Sequence, residues 1–170
     1  MNQLETLSKR IFSVESPELD RLLAFWRFKG YRIVFTNGCF DILHLGHVDY
    51  LLRASKLGDV LLVGLNTDAS VSRIKGAHRP LTDEHSRSMV MASLRFVSAV
   101  ALFDEDTPYE LIKKVQPDVL VKGADYKPEH IVGYDIVKAK GGKISNIQLV
   151  EGYSTTAIEH KIRQASSHKP

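Results

Sequence analysis

A single cysteine, Cys39, occurs in 170 residues, so no disulfide can close within the chain and a reducing compartment is expected. Charge of one sign is also scarce: 23 basic residues against 20 acidic ones leave a formal +3. Nucleic-acid proteins concentrate basic residues on one face, and so small an excess gives no case for such a partner. The opening "MNQLETLSKRIFSVESPELD" has no apolar run of the length that a signal peptide or membrane span needs. A cytoplasmic protein without a membrane partner is therefore expected. Repeats and low-complexity tracts are absent, and only the tail "QASSHKP" reads as loose. What is there is an ordinary folded composition, 44% hydrophobic and 25% charged, long enough for one domain with a sizeable core.

Apolar runs alternate with amphipathic ones. Ser16 before Pro17 predicts a capped helix in which Leu19, Leu22, Leu23 and Trp26 share a face and Gly30 ends the run. "YRIVFTN", "DVLLVGLN", "VSAVALF", "PDVLVKG" and "KISNIQLV" read as five buried strands. Between them, "HVDYLLRASKLG", "TDEHSRSMVMASLRF", "TPYELIKKV" and "PEHIVGYDIVKAKGG" read as helices, and "STTAIEHKIRQ" as the last one. Asp83 and Glu84 fit a first helical turn, and Thr107, Pro108 and Glu110 a capping box. Thr156 with Glu159 gives a second box, and "TDASVSRIKGAHRP" reads as a loop. The alternation predicts an α/β fold: a Rossmann-like parallel five-stranded sheet with helices on both faces. Ligands of such sheets bind beyond the carboxyl ends of the strands, near a switch in strand order.

The segment "FTNGCFDILHLGHVDYL" follows the first predicted strand and sets His44 and His47 three apart. Metal ligation, phosphate binding and packing are the three readings. Zinc is disfavoured because "HLGH" lacks the internal Glu of the protease motif and no second Cys or His pair completes a site. An isolated histidine would be assigned to packing. Here Gly46 sits between the two, where a side chain would obstruct a ligand nearing the helix start, and backbone amides at such a start attract anions. Gly38 allows a tight preceding turn. The pattern favours a phosphate cradle.

"TNGCFDILHLGH" resembles the signature of the nucleotidyltransferase superfamily: Thr or Ser, a Gly, Phe-Asp, then His-x-Gly-His. That signature is shared by transferases for glycerol phosphate, ethanolamine phosphate, pantetheine phosphate and flavin. From Arg32 to about Ile162, with "LNTDASVSRIKGAHRPL", "VKGADY" and "GYSTTAI", the chain more closely resembles the adenylyltransferases that make ADP-heptose for lipopolysaccharide. The resemblance implies a nucleotidyltransferase domain over 31–165, an N-terminal helical extension over 1–30 and a flexible tail over 166–170.

It also implies a reaction, ATP plus D-glycero-β-D-manno-heptose 1-phosphate giving ADP-heptose and pyrophosphate. Mg²⁺ would enter with ATP, with Asp41 its one candidate contact on the protein. His44, His47 and Lys75 are the implied catalytic residues, with Arg73 and Arg79 weaker candidates beside Lys75. Thr36, Asn37, Gly38, Cys39, Phe40 and Gly46 would bind nucleotide or phosphate from the first motif. Arg87, Lys122 and Gly123 would do so from later strands and helices, and Ser154, Thr155 and Thr156 from the last helix start. On the sugar side stand Asp41, Asn66, Asp68 and Asp125, though Asp68 also fits a helix cap and Lys122 a surface strand end. Several relatives carry an Arg late in the last motif; Lys161 or Arg163 is the candidate replacement here. A homodimer and a separate upstream sugar kinase complete the expectation. A cytidylyltransferase for glycerol 3-phosphate and a non-catalytic nucleotide-binding module are the alternatives.

Overall fold

In the computed structural model, which describes residues 2–123 and 127–167, the chain begins with α1 (Gln3–Ser8), β1 (Ile11–Ser13) and α2 (Pro17–Phe28). Then come β2 (Ile33–Gly38), α3 (Leu45–Ser55), β3 (Val60–Asn66), α4 (Asp68–Lys75) and α5 (Glu84–Ser93). The second half runs through β4 (Ala99–Phe103), α6 (Tyr109–Val115), β5 (Val119–Gly123), a short 3₁₀ turn at Pro128–His130, α7 (Tyr134–Ala139), β6 (Lys143–Ile147) and α8 (Thr155–Ser167). The sheet has six strands in the order β1-β4-β3-β2-β5-β6, and every neighbouring pair is parallel. Five were expected. The extra strand is β1, which pairs Ile11–Ser13 with Val100–Leu102 at the sheet edge; two half-covered residues and an exposed Ser13 carry no apolar run by which to read a strand.

Both faces are covered, which is why the inner strands are mostly apolar: all seven residues of β3 are buried, with Asn66 at its carboxyl end the one polar side chain. Side chains alternate along β2. Ile33 and Phe35 meet Leu19, Leu23 and Trp26 of α2 and Leu111 and Ile112 of α6 in one core. Val34 meets Leu51 and Ala54 of α3 and Met91 and Ala92 of α5 in the other. Leu62 and Leu65 are fully buried, one in each core, and either one cut to Ala should cost about 2–5 kcal/mol. Among the described residues no helix is long and apolar enough to cross a membrane.

Several helix starts differ from the sequence reading. Residues 68–75 form α4 rather than a loop, because Thr67 caps it by accepting from Ser70 N at 3.2 Å and Val71 is buried beneath it. Asp83 is the cap of α5, accepting from Ser86 N at 2.7 Å, and lies outside the first turn. No capping box forms at α6: Pro108 holds the cap position and Thr107 falls one residue outside. The helix expected over 128–142 is broken at Gly133, whose φ of 86° starts α7 and whose Cβ, if present, would lie 2.7 Å from Ile112.

Candidate active site

The chain leaves β2 through α3 to β3 on one side, while β5 lies on the other, so strand order reverses beside β2. A cleft of about 640 Å³ opens over the carboxyl ends of β2 and β5. Asn37 to Asp41 enter from the end of β2 and the loop after it, His47 and Tyr50 from α3, Lys75 from the end of α4 and Arg79 from the turn beyond it, Lys122 and Gly123 from β5, and Thr155 and Thr156 from α8. This is where a parallel sheet gathers loops that are far apart in sequence.

The histidines are built by the start of α3. His44 occupies the cap position with extended backbone, and its carbonyl accepts from His47 N at 2.9 Å and Val48 N at 3.2 Å. Its ring makes no cap bond and instead stacks on His47, centroids 3.8 Å apart and planes 23° apart. The edge of His47 meets Phe40 at 5.1 Å. Burial lowers the pKa of His44. Burial, then the neighbouring His44, pushes His47 down to about 4, with Lys75 adding to this and the Ile42 carbonyl opposing it only in part. Among the described residues, neither Nδ1 has a partner within normal hydrogen-bond geometry. Burial and the repulsion between two stacked imidazolium ions both favour the uncharged pair in the free site.

The glycines work differently from the sequence reading. A Cβ on Gly46 would sit 3.1 Å from the His44 ring and 3.3 Å from Tyr153 Cβ. Gly46 therefore lets the lead-in to α8 close on the histidine turn; protein, not ligand, fills the space. Gly38 has no left-handed backbone, and the residue that does is Phe40, with φ of 45°. A non-glycine residue there stores strain of the kind found at functional turns.

Lys122 donates to Asn37 Oδ1 across the switch point, and its burial pushes it down to about 8. Lys75 is exposed in the last turn of α4. Among the described residues, a Cβ on Gly123 would meet nothing closer than Leu149 at 3.7 Å, so their packing does not demand glycine there. The cap of α8 is Ser154, whose Oγ accepts from Ala157 N at 3.1 Å, rather than Thr156. Glu159 closes no capping box; its carboxylate pairs with Arg79. Thr155 and Thr156 line the cleft wall.

Residues 35–161 match the family model described as cytidylyltransferase-like. The chain belongs to that family. Among curated relatives, the bifunctional protein HldE of Magnetococcus marinus is 54% identical over 140 residues, 82% of this chain and 29% of that protein. The bifunctional protein HldE of Nitratiruptor sp. is 58% identical over 135 residues, 79% of this chain and 28% of its own length. The chain thus spans less than a third of these relatives. A solved lipopolysaccharide core biosynthesis protein from Thermoplasma volcanium is 30% identical with a TM-score of 0.57, covering 74% of this chain and all of its own. The pantoate-beta-alanine ligase of Francisella tularensis shares the fold alone, at 16% identity and a TM-score of 0.55 over 89% of this chain and 78% of its own.

Several residues singled out in this cytidylyltransferase-like chain stand behind the cleft. Thr36 is fully buried and bonded to Tyr50 Oη at 2.7 Å, tying β2 to α3. Arg87, 3% exposed, binds the carbonyls of Cys39 at 2.6 Å, Asn66 at 2.8 Å and Thr82 at 3.0 Å, and Asp68 Oδ1 at 2.8 Å. Asn66 is buried, its amide nitrogen donating to Ser70 Oγ at 3.0 Å. Arg73 pairs with Asp104 and Asp106 away from the cleft, and Lys161 and Arg163 are exposed on α8 outside its wall. Asp125 lies outside the described residues.

Asp41 is the one carboxylate on the described wall. Burial pushes its pKa up, but Arg79 at 2.7 Å and the amides of Leu81 and Thr82 at 2.8 and 3.0 Å outweigh that and hold it below the usual carboxylate value. With those lone pairs committed, the described residues do not fit direct Mg²⁺ ligation; histidines, lysines and threonine hydroxyls suit phosphate oxygens instead. Tyr50, His78, Ile131, Val132 and Leu149 also line the wall and were not singled out from sequence. Of these only Tyr50 carried a signal, three residues after His47 and so on the same helical face.

Proposed function

We propose that this chain transfers an adenylyl group from ATP to D-glycero-β-D-manno-heptose 1-phosphate, forming ADP-heptose and pyrophosphate for lipopolysaccharide core synthesis. The observation that carries the reading is the stacked His44–His47 pair at the switch point, in which His47 lines one cleft with Lys75, Lys122, Thr155 and Thr156 while His44 backs it from outside the lining. A sugar-phosphate oxygen is already anionic at neutral pH and attacks the α-phosphorus directly. The bond from that phosphorus to its bridging oxygen breaks, and pyrophosphate departs with the electron pair. No strong general base is required. The chain's work is alignment and charge stabilisation: imidazole N–H groups toward the α-phosphate, Lys75 toward the departing pyrophosphate, and the α8 start toward the outer phosphates. Mg²⁺ would arrive on ATP and neutralise its phosphate oxygens, with no protein carboxylate assigned to it.

Support for a sugar nucleotide comes from the motifs "RIKGAHRP", "VKGADY" and "GYSTTAI" and from the relative described as a lipopolysaccharide core biosynthesis protein. The 1-phosphate would be supplied by a sugar kinase, a different reaction from the one this cleft serves. Cytidylyl transfer to glycerol 3-phosphate is the second reading, favoured by the cytidylyltransferase-like family description. Pyrophosphate release measured over each nucleoside triphosphate and a panel of sugar and alcohol phosphates separates the two. ATP with heptose 1-phosphate is expected to dominate; preference for CTP with glycerol 3-phosphate would select the alternative.

A further inference from the structure

Arg79 stands in the cleft wall with both terminal nitrogens taken. One meets Asp41 Oδ2 at 2.7 Å and the other pairs with the Glu159 carboxylate. Asp41 belongs to the loop running from β2 to the histidines, and Glu159 lies one turn into α8, just beyond Thr155 and Thr156. A planar guanidinium with fixed donors can bridge carboxylates on two separate elements, which a point-charge lysine does poorly. The bridge is sheltered: the Arg79, Asp41 and Glu159 side chains are 11%, 4% and 20% exposed, where salt screens ion pairs less than at the surface. The contact of Gly46 with Tyr153 brings the same two helix starts together independently.

We propose that Arg79 is a positioning residue for the transfer, fixing the first turn of α8 against the His44–His47 pair. The role rests on the nucleotidyl-transfer reading above. The histidines and the Thr155–Thr156 turn approach phosphate from opposite ends of the sequence, and each can hold part of the nucleotide alone. Their mutual alignment needs the bridge. A misplacement of about 1 Å is enough to cost on the order of 100-fold in rate. Because the loss falls on alignment in the transition state, it enters kcat more than KM.

The test compares Arg79→Gln, Glu159→Gln and the double variant. Glu159→Gln leaves Asp41 paired with Arg79, so the buried carboxylate keeps its partner and the fold is retained. Each single change should lower kcat about 10-fold or more with the KM for ATP within about threefold, and the double should be no worse than Arg79→Gln alone. Hydrogen exchange without substrate should speed up at the first-turn amides of α8 in both single variants. Unchanged exchange in Glu159→Gln overturns the bridge whatever the kinetics show. A large rise in KM for Arg79→Gln beside normal kinetics for Glu159→Gln would make Arg79 a direct phosphate ligand instead. Failure of the wild-type chain to transfer any nucleotide defeats the transfer reading, and the exchange comparison then still decides whether Arg79 holds α8.

Discussion

At the scale of single residues, the histidine pair matters because its two rings are stacked and neutral at once. A neutral imidazole donates one N–H without bringing a full charge that would have to be desolvated before ATP arrives. His44→Ala or His47→Ala should therefore lower kcat by about 100-fold or more while far-UV circular dichroism and Tm stay near wild type. Near-normal turnover in both variants would remove them from the chemistry. The same burial couples His47 to stability. Its folded pKa is about 4, against 6.5 for the ordinary group, so the unfolded chain binds more protons between those values. Stability should be lost as pH falls from about 6.5 toward 4, and His47→Gln should flatten the urea midpoint across that window. A wild-type midpoint steady from pH 7 to pH 5 would contradict the burial argument.

Among the elements, α8 illustrates what sequence leaves open. "STT" offers three consecutive capping residues, and local propensity ranks them almost equally. The choice of Ser154 goes with tertiary contacts that no local pattern carries: Tyr153 closing on Gly46, and Glu159 held by Arg79. Roles therefore divide by position. Ser154→Ala should cost about 1 kcal/mol of stability through cap loss, whereas Thr155→Ala with Thr156→Ala should weaken ATP use with little change in Tm. Thermal melts paired with ATP kinetics read both; a double variant with unaltered kinetics would leave those hydroxyls without a phosphate role. Helix α4 was illegible for a related reason. Its polar run "DASVSRIK" has only Val71 as a fully buried apolar anchor, while the buried Ser70 donates to the Glu105 carbonyl and accepts from Asn66.

For the whole molecule, the inner strands were legible because burial on both faces gives each a continuous apolar run, and β1 was not because an edge strand of three residues needs no such run. His47, Lys75, Lys122, Thr155 and Thr156 line one cleft because a parallel sheet delivers its loops to a single edge, which is a pattern that sequence carries. Which charged residues face that cleft and which brace it from behind could not be read from it. Arg87 looks the same in sequence as a solvated helix residue, yet it braces the ends of β2 and β3 by binding the carbonyls of Cys39 and Asn66. Arg87→Lys, which keeps the charge but loses the fork, should destabilise the fold by about 2–4 kcal/mol through buried carbonyls left without donors. Denaturant unfolding measures this, and a variant as stable as wild type would deny Arg87 that bracing role.

The central claim is that the α-phosphoryl group of ATP moves to a sugar phosphate. Following ATP labelled at the α-phosphate or at the γ-phosphate, with heptose 1-phosphate as acceptor, tests it most directly. The α-label should appear in a sugar nucleotide and the γ-label in pyrophosphate. A γ-label recovered on the sugar, or an α-label that never leaves the adenine nucleotide pool, would contradict the account.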